Sequence, residues 1–174
     1  SELQNCFLPN IKKIGILYNT GENNSEVQID EVKSLAPDEG LEVITVGIST
    51  INEIPQAVDS IIKKVDAIYT ITDNMVASAI NVVAQKAVEN NLITVGAEDS
   101  HVKGGILITD GISYYELGKQ SAKMAQEILV NNKAPGELPS ETSANTKKVF
   151  NENTLKSLKL DENDEVFKTS EKIK

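Results

Sequence analysis

Arginine and tryptophan are absent from the 174-residue sequence, and cysteine and histidine occur once each. All 17 basic residues are lysines. The chain therefore lacks the planar guanidinium fork that usually grips carboxylates and phosphates in a bidentate way. A small anion would have to be held by backbone N–H groups, hydroxyls, amides or lysine. The lone Cys6 excludes an internal disulfide and the multi-cysteine zinc sites. Beside Phe7 and Leu8 it reads as a buried or incidental thiol and not as a nucleophile. His101, next to Val102, reads as a surface-loop histidine. The expectation is accordingly no metal and no cofactor. No stretch approaches the ~20 apolar residues of a membrane-crossing helix, and no signal peptide is visible. A net charge of −9, a pI near 4.7 and no basic run argue against nucleic acid as a partner, because phosphate neutralisation needs a basic surface.

Apolar residues are plentiful, at 40%, and they are periodic. Short β-branched runs at 11–18, 41–48, 66–72, 92–96 and 106–109 read as buried strands. Between them lie helical patterns at about 24–35, 53–65 and 75–90, and a long one follows at 113–129. In the second of these Ile54, Ala57, Val58, Ile61, Ile62 and Val65 share one helical face. In the last, Tyr114, Leu117, Gly118, Ser121, Ala122, Ala125, Ile128 and Leu129 share a broad face of small and apolar residues. Either Tyr114 or Tyr115 is expected to pack inward. Strands alternating with helices predict an α/β fold: three layers, α/β/α, around a mostly parallel, doubly wound sheet. We divide the chain into a lobe at 1–132, including a crossover strand and helix at 105–131, and a remainder at 133–174. That remainder reads as a linker, a return strand with a short helix, and a charged tail expected to fray.

Ligands of open α/β sheets gather at the carboxyl ends of the strands. Three loops leave that edge rich in polar groups. The first carries Asn19, Asn24 and Ser25, the second Asp73 and Asn74, and the third Glu98, Asp99 and Ser100. Together they can hold a small polar molecule, with Asp73 or Glu98 facing a cationic end. Capping alone also explains Asn24, Ser25, Asp73 and Asn74, all good N-cap residues. A phosphoryl-receiver reading fails because Tyr18-Asn19 stands where acidic residues would hold Mg²⁺. There is no phosphate-binding glycine loop and no nucleophile elbow, and one histidine does not build a triad. With no catalytic constellation, a binding protein is favoured over an enzyme.

Four stretches occur in order: LPNIKKIGILYNTGENNS, VDAIYTITDN, VGAEDSHVKGG and GISYYELGKQSAKMAQEIL. They resemble the second half of an ABC-transporter substrate-binding protein of the type I periplasmic-binding fold, in the group that includes tryptophan/tyrosine and sugar-type binding lipoproteins. The resemblance covers residues 3–160. It implies a two-lobed clamshell with solute between the lobes, of which this chain is the second lobe plus the segment returning toward the first. The implied partners are a small-molecule solute such as an aromatic amino acid or a sugar, an ABC permease and the missing first lobe. The implied location is extracytoplasmic, as a lipoprotein or periplasmic protein.

Under the same resemblance the helix at 114–129 packs on the first lobe. Without that lobe the chain is expected to dimerise or rearrange through Tyr114–Leu129. The family's cleft residues fall on Asn19, Asn24, Ser25, Asp73, Asn74, Glu98, Asp99 and Ser100. Asp73 is expected to meet the ammonium of an amino acid, with Asn19, Asn74 and Ser100 supplying hydrogen bonds. The chain departs from the family pattern at Asp110, Ser113 and Pro37. The alternative is a ligand-sensing domain of a repressor-like protein with the same fold.

Overall fold

The computed structural model describes residues 11–174, so Cys6 and its expected environment lie outside the described residues. The sheet-forming runs become β1 (Lys13–Asn19), β2 (Glu42–Ile48), β3 (Ala67–Thr70), β4 (Ile93–Glu98), β5 (Ile108–Ile112), β6 (Thr146–Asn151) and β7 (Glu171–Ile173). They form one seven-stranded sheet in the order β2-β1-β3-β4-β5-β6-β7. All neighbours are parallel except β5 and β6, which pair antiparallel. The order turns back between β1 and β3, and this switch point opens a crevice at the carboxyl ends of the two strands.

Helices cover both faces, as the alternation of strands and helices requires. They are α1 (Asn23–Leu35), α2 (Ile54–Ile61), α3 (Asn74–Ser78), α4 (Ile80–Glu89), α5 (Asp99–Lys103), α6 (Tyr114–Leu129), α7 (Glu152–Ser157) and α8 (Glu165–Lys168). On one face Leu17 of β1 and Ile68 of β3 pack against Val58 and Ile61 of α2 and Val83 and Ala87 of α4. On the other, Ile16 meets Ile29 of α1, while Ile108 and Phe150 meet Leu155 of α7 and Phe167 of α8.

Several local expectations are corrected. The helix expected over 75–90 breaks at Ala79 (φ −122°, ψ 24°) into α3 and α4. The loop after β4 contains α5, held from a distance by Asn151 Nδ2 donating to the Val102 carbonyl and Thr154 Oγ1 donating to that of Gly105. The tail does not fray. It forms α8 and β7, with Val166 and Phe167 buried and the Phe167 ring 5.0 Å from that of Phe150. Neither Tyr114 nor Tyr115 packs inward; both are exposed, and no residue of α6 is buried. Its broad small-and-apolar face is left open, with Leu129 78% exposed. Asp110, the departure on β5, faces Lys148 across the β5–β6 pair and accepts a hydrogen bond from Thr146 Oγ1.

Candidate functional site

Asp73 follows β3 and caps α3, its Oδ1 accepting from the Val76 N–H at 2.9 Å. Its Oδ2 accepts from the Asn19 N–H and from Ser25 Oγ, each at 2.7 Å. The side chain is buried, so this carboxylate ties the first loop to the second. Ser25 is thereby a partner of Asp73 and not a cap, and Glu22 is the N-cap residue of α1. Asn24 does not cap α1 either. Its Nδ2 donates to the Thr72 carbonyl, and Gln28 Oε1 accepts from the Thr72 N–H and hydroxyl.

Glu22 was not singled out by sequence. One of its oxygens accepts from Asn19 Nδ2 and the other from the N–H and Nδ2 of Asn74. The only signal was a carboxylate three residues after Asn19 in a polar loop. Asn19 and Asn74 are thus fixed in the rim by a shared partner.

The third loop enters through a register irregularity between Gly96 and Glu98 in the β4–β5 ladder. Irregularities of this kind re-aim side chains near functional sites. Gly111 on β5 lies against the displaced Ala97 carbonyl, where an added Cβ would collide with backbone. Glu98 is 4% exposed. Its Oε1 accepts from Ser100 Oγ at 2.5 Å and lies 3.1 Å from His101 Nε2. Burial works to raise its pKa. The neighbouring His101, Ser100 and Tyr114 side chains outweigh burial and hold the carboxyl down at about 2. The adjacent Glu98 carboxylate, with partial burial and the Asp99 charge, pushes the Tyr114 phenol up to about 12.

His101 is not a surface histidine: it is 1% exposed. Its Nδ1 lies 2.9 Å from Thr70 Oγ1 at the end of β3. The 3.1 Å contact to Glu98 lies off the N–H direction, and Nε2 has no well-aligned hydrogen bond. Asp99 is set back from the rim, buried, with its Oδ2 3.3 Å from Ser113 Oγ.

These groups converge on a cavity of about 170 Å³ lined by Asn24, Thr72, Asp73, Asn74, Glu98 and Tyr114, with Ala77 completing the wall. It draws on all three loops expected from sequence. Asn19, Ser25, Asp99 and Ser100 stand behind it as supports and do not line it. Tyr114 was missed as a lining residue; its one signal was an aromatic opening a helix at the carboxyl end of β5. Among the described residues no group of three or more His, Cys, Asp or Glu is placed to hold a metal ion.

A wound sheet with a polar crevice at its switch point, and a buried carboxylate in the wall, defines a small-molecule binding domain. More particularly, residues 2–174 match the family model for ABC transporter substrate binding proteins, and the chain belongs to that family. It is 38% identical over 159 residues to a tyrosine-binding protein of Clostridioides difficile strain R20291, covering 91% of this chain and 46% of that protein. Among solved structures it resembles a ligand-free, open substrate-binding protein with adhesive properties from Clostridium difficile (38% identity, TM-score 0.80). It also resembles an ABC domain in complex with L-Trp from Streptococcus pneumonia (29% identity, TM-score 0.87). Each of these matches covers 99% of this chain and 58% of the other. The chain spans about half the length of the curated relatives it matches. The fold and family expected from sequence are those found.

Proposed function

We propose that the chain forms one jaw of a clamshell that captures an aromatic α-amino acid for an ABC importer outside the cytoplasm. The observation that carries this reading is the cavity itself. At about 170 Å³ it is smaller than the roughly 300–1,000 Å³ of a pocket that encloses a small molecule. An open, polar half-site at a sheet edge is what one wall of a two-sided cleft requires. The cationic amino group sits against Glu98, which is ionised and faces the cavity, with the Asp73 charge behind it. Because Asp73 is committed to three hydrogen bonds, we assign it the secondary place and Glu98 the direct contact. Asn74 and Asn24 offer polar side chains at the rim, and the Tyr114 ring borders the apolar end of the solute. The tyrosine-binding and L-Trp-bound relatives support the choice of solute.

The second jaw is a further lobe of the same protein, seated on the open face of α6. Solute then favours the closed state by touching both jaws, and the closed form is what a permease reads. Membership in the substrate-binding family favours this over a repressor-like sensor. Replacing Glu98 with Gln in the two-lobed protein tests the site. Calorimetry is expected to show L-tyrosine binding weakened about tenfold or more, the usual worth of a buried charge-assisted contact. Unchanged affinity would remove Glu98 from the solute.

A further inference from the structure

Glu98 is held from behind by a group that does not line the cavity. The ring of His101 is buried, with Nδ1 2.9 Å from Thr70 Oγ1 and Nε2 3.1 Å from Glu98 Oε1. Among the described residues Nε2 makes no hydrogen bond of good geometry, and Glu98 Oε1 is the charged group beside it. An ionised carboxylate at that distance from a bare nitrogen lone pair would be repelled, so a proton belongs on Nε2. Thr70 serves either protonation state. Its hydroxyl can donate to Nδ1 of a neutral ring, or turn to the Val95 carbonyl at 3.3 Å and accept from Nδ1–H. Tyr114 on α6 acts on Glu98, and Asp99 on α5 acts in turn on Tyr114.

We propose that His101 is a positioning residue: its Nε2–H, oriented by Thr70, faces Glu98 Oε1 from inside the wall and keeps Glu98 a carboxylate turned toward the solute's amino group. Selectivity for ammonium-bearing solutes over des-amino analogues then depends on a ring that does not touch the solute. The inference rests on the solute reading above, and two arms separate their failures.

The first arm needs no solute. His101 is the sole histidine of this chain, and in the intact protein that carries it the ring signals are identified by their loss in His101→Gln and then read by long-range ¹⁵N NMR. A proton on Nε2 is expected; a bare Nε2 with the proton on Nδ1 overturns the proposal. The Glu98 carboxyl carbon is titrated in parallel. His101→Gln, which keeps a side-chain N–H donor, is expected to leave Glu98 titrating low, while His101→Leu moves it up toward the ordinary glutamate value of 4.5. Thr70→Val, nearly isosteric, is expected to fall between them and serves where the leucine variant does not fold.

The second arm compares L-tyrosine with 3-(4-hydroxyphenyl)propanoate. His101→Leu is expected to lose roughly tenfold of the discrimination between them, and His101→Gln to retain most of it. Equal discrimination in the leucine variant, or equal loss in both, overturns the positioning role. If the first arm holds while the parent protein does not distinguish the two compounds, the amino-acid reading falls and His101 still positions Glu98.

Discussion

Asp73 and Glu98 are both buried carboxylates at the same rim, yet they do different work. Asp73 spends its oxygens on the chain itself, joining β1, α1 and α3. Replacing it with alanine uncaps α3 and strands the Ser25 hydroxyl and the Asn19 N–H. We expect a loss of about 2–4 kcal/mol in urea unfolding. Glu98 keeps its charge because His101, Ser100 and Tyr114 around it outweigh burial. Its folded pKa of about 2 lies below the ordinary 4.5, so its stabilisation is complete above pH 4.5 and is lost as the pH falls toward 2. The loss is at most about 3 kcal/mol by the linkage relation. Unfolding of the native chain and Glu98→Gln, compared from pH 7 to pH 2, checks it: the glutamine variant should lack this component of the acid slope. From sequence, the residue types at the rim were legible because loops after strands declare themselves. Which carboxylate faces the cavity uncommitted to the chain was not legible, since it depends on Asn19 and Ser25 reaching Asp73 from another segment.

The strands and most helices were legible for a local reason: apolar periodicity in a short window reports the buried face. Where distant contacts decide, local pattern misleads. The segment at 97–105 is polar and glycine-rich, yet α5 forms because Asn151 and Thr154 bond its backbone from the other end of the chain. The tail is densely charged, yet Val166 and Phe167 dock it beside Phe150, and β7 pairs with β6. Phe167→Ala should therefore cost about 3–5 kcal/mol, as for a core aromatic, measured by urea unfolding. A loss below ~0.5 kcal/mol would mean the tail is peripheral. Gly111 is a second test of element geometry. A methyl group there meets the Ala97 carbonyl, so Gly111→Ala should destabilise by about 1–3 kcal/mol and disturb the Gly96–Glu98 irregularity that aims Glu98.

As a whole molecule the chain is well built on two faces of its sheet and open on a third surface, along α6. Gln120 ties this helix to the following strap through Glu141, Thr142 and Ala144, but its apolar stripe is uncovered. Among the described residues no helix is long and apolar enough to cross a membrane, so that stripe is not a bilayer span. Exposed apolar surface of this kind is ordinarily covered by a partner. Produced alone, the chain should self-associate, with Leu129→Lys shifting it toward monomer in light scattering. A strictly monomeric chain with α6 solvated would refute a covered face. The most direct test of the half-site is calorimetry with L-tyrosine on the chain alone and on the two-lobed protein. The two-lobed protein should bind in the micromolar range while the isolated jaw gives no saturable heat at millimolar solute. Micromolar binding by the jaw alone would contradict the account.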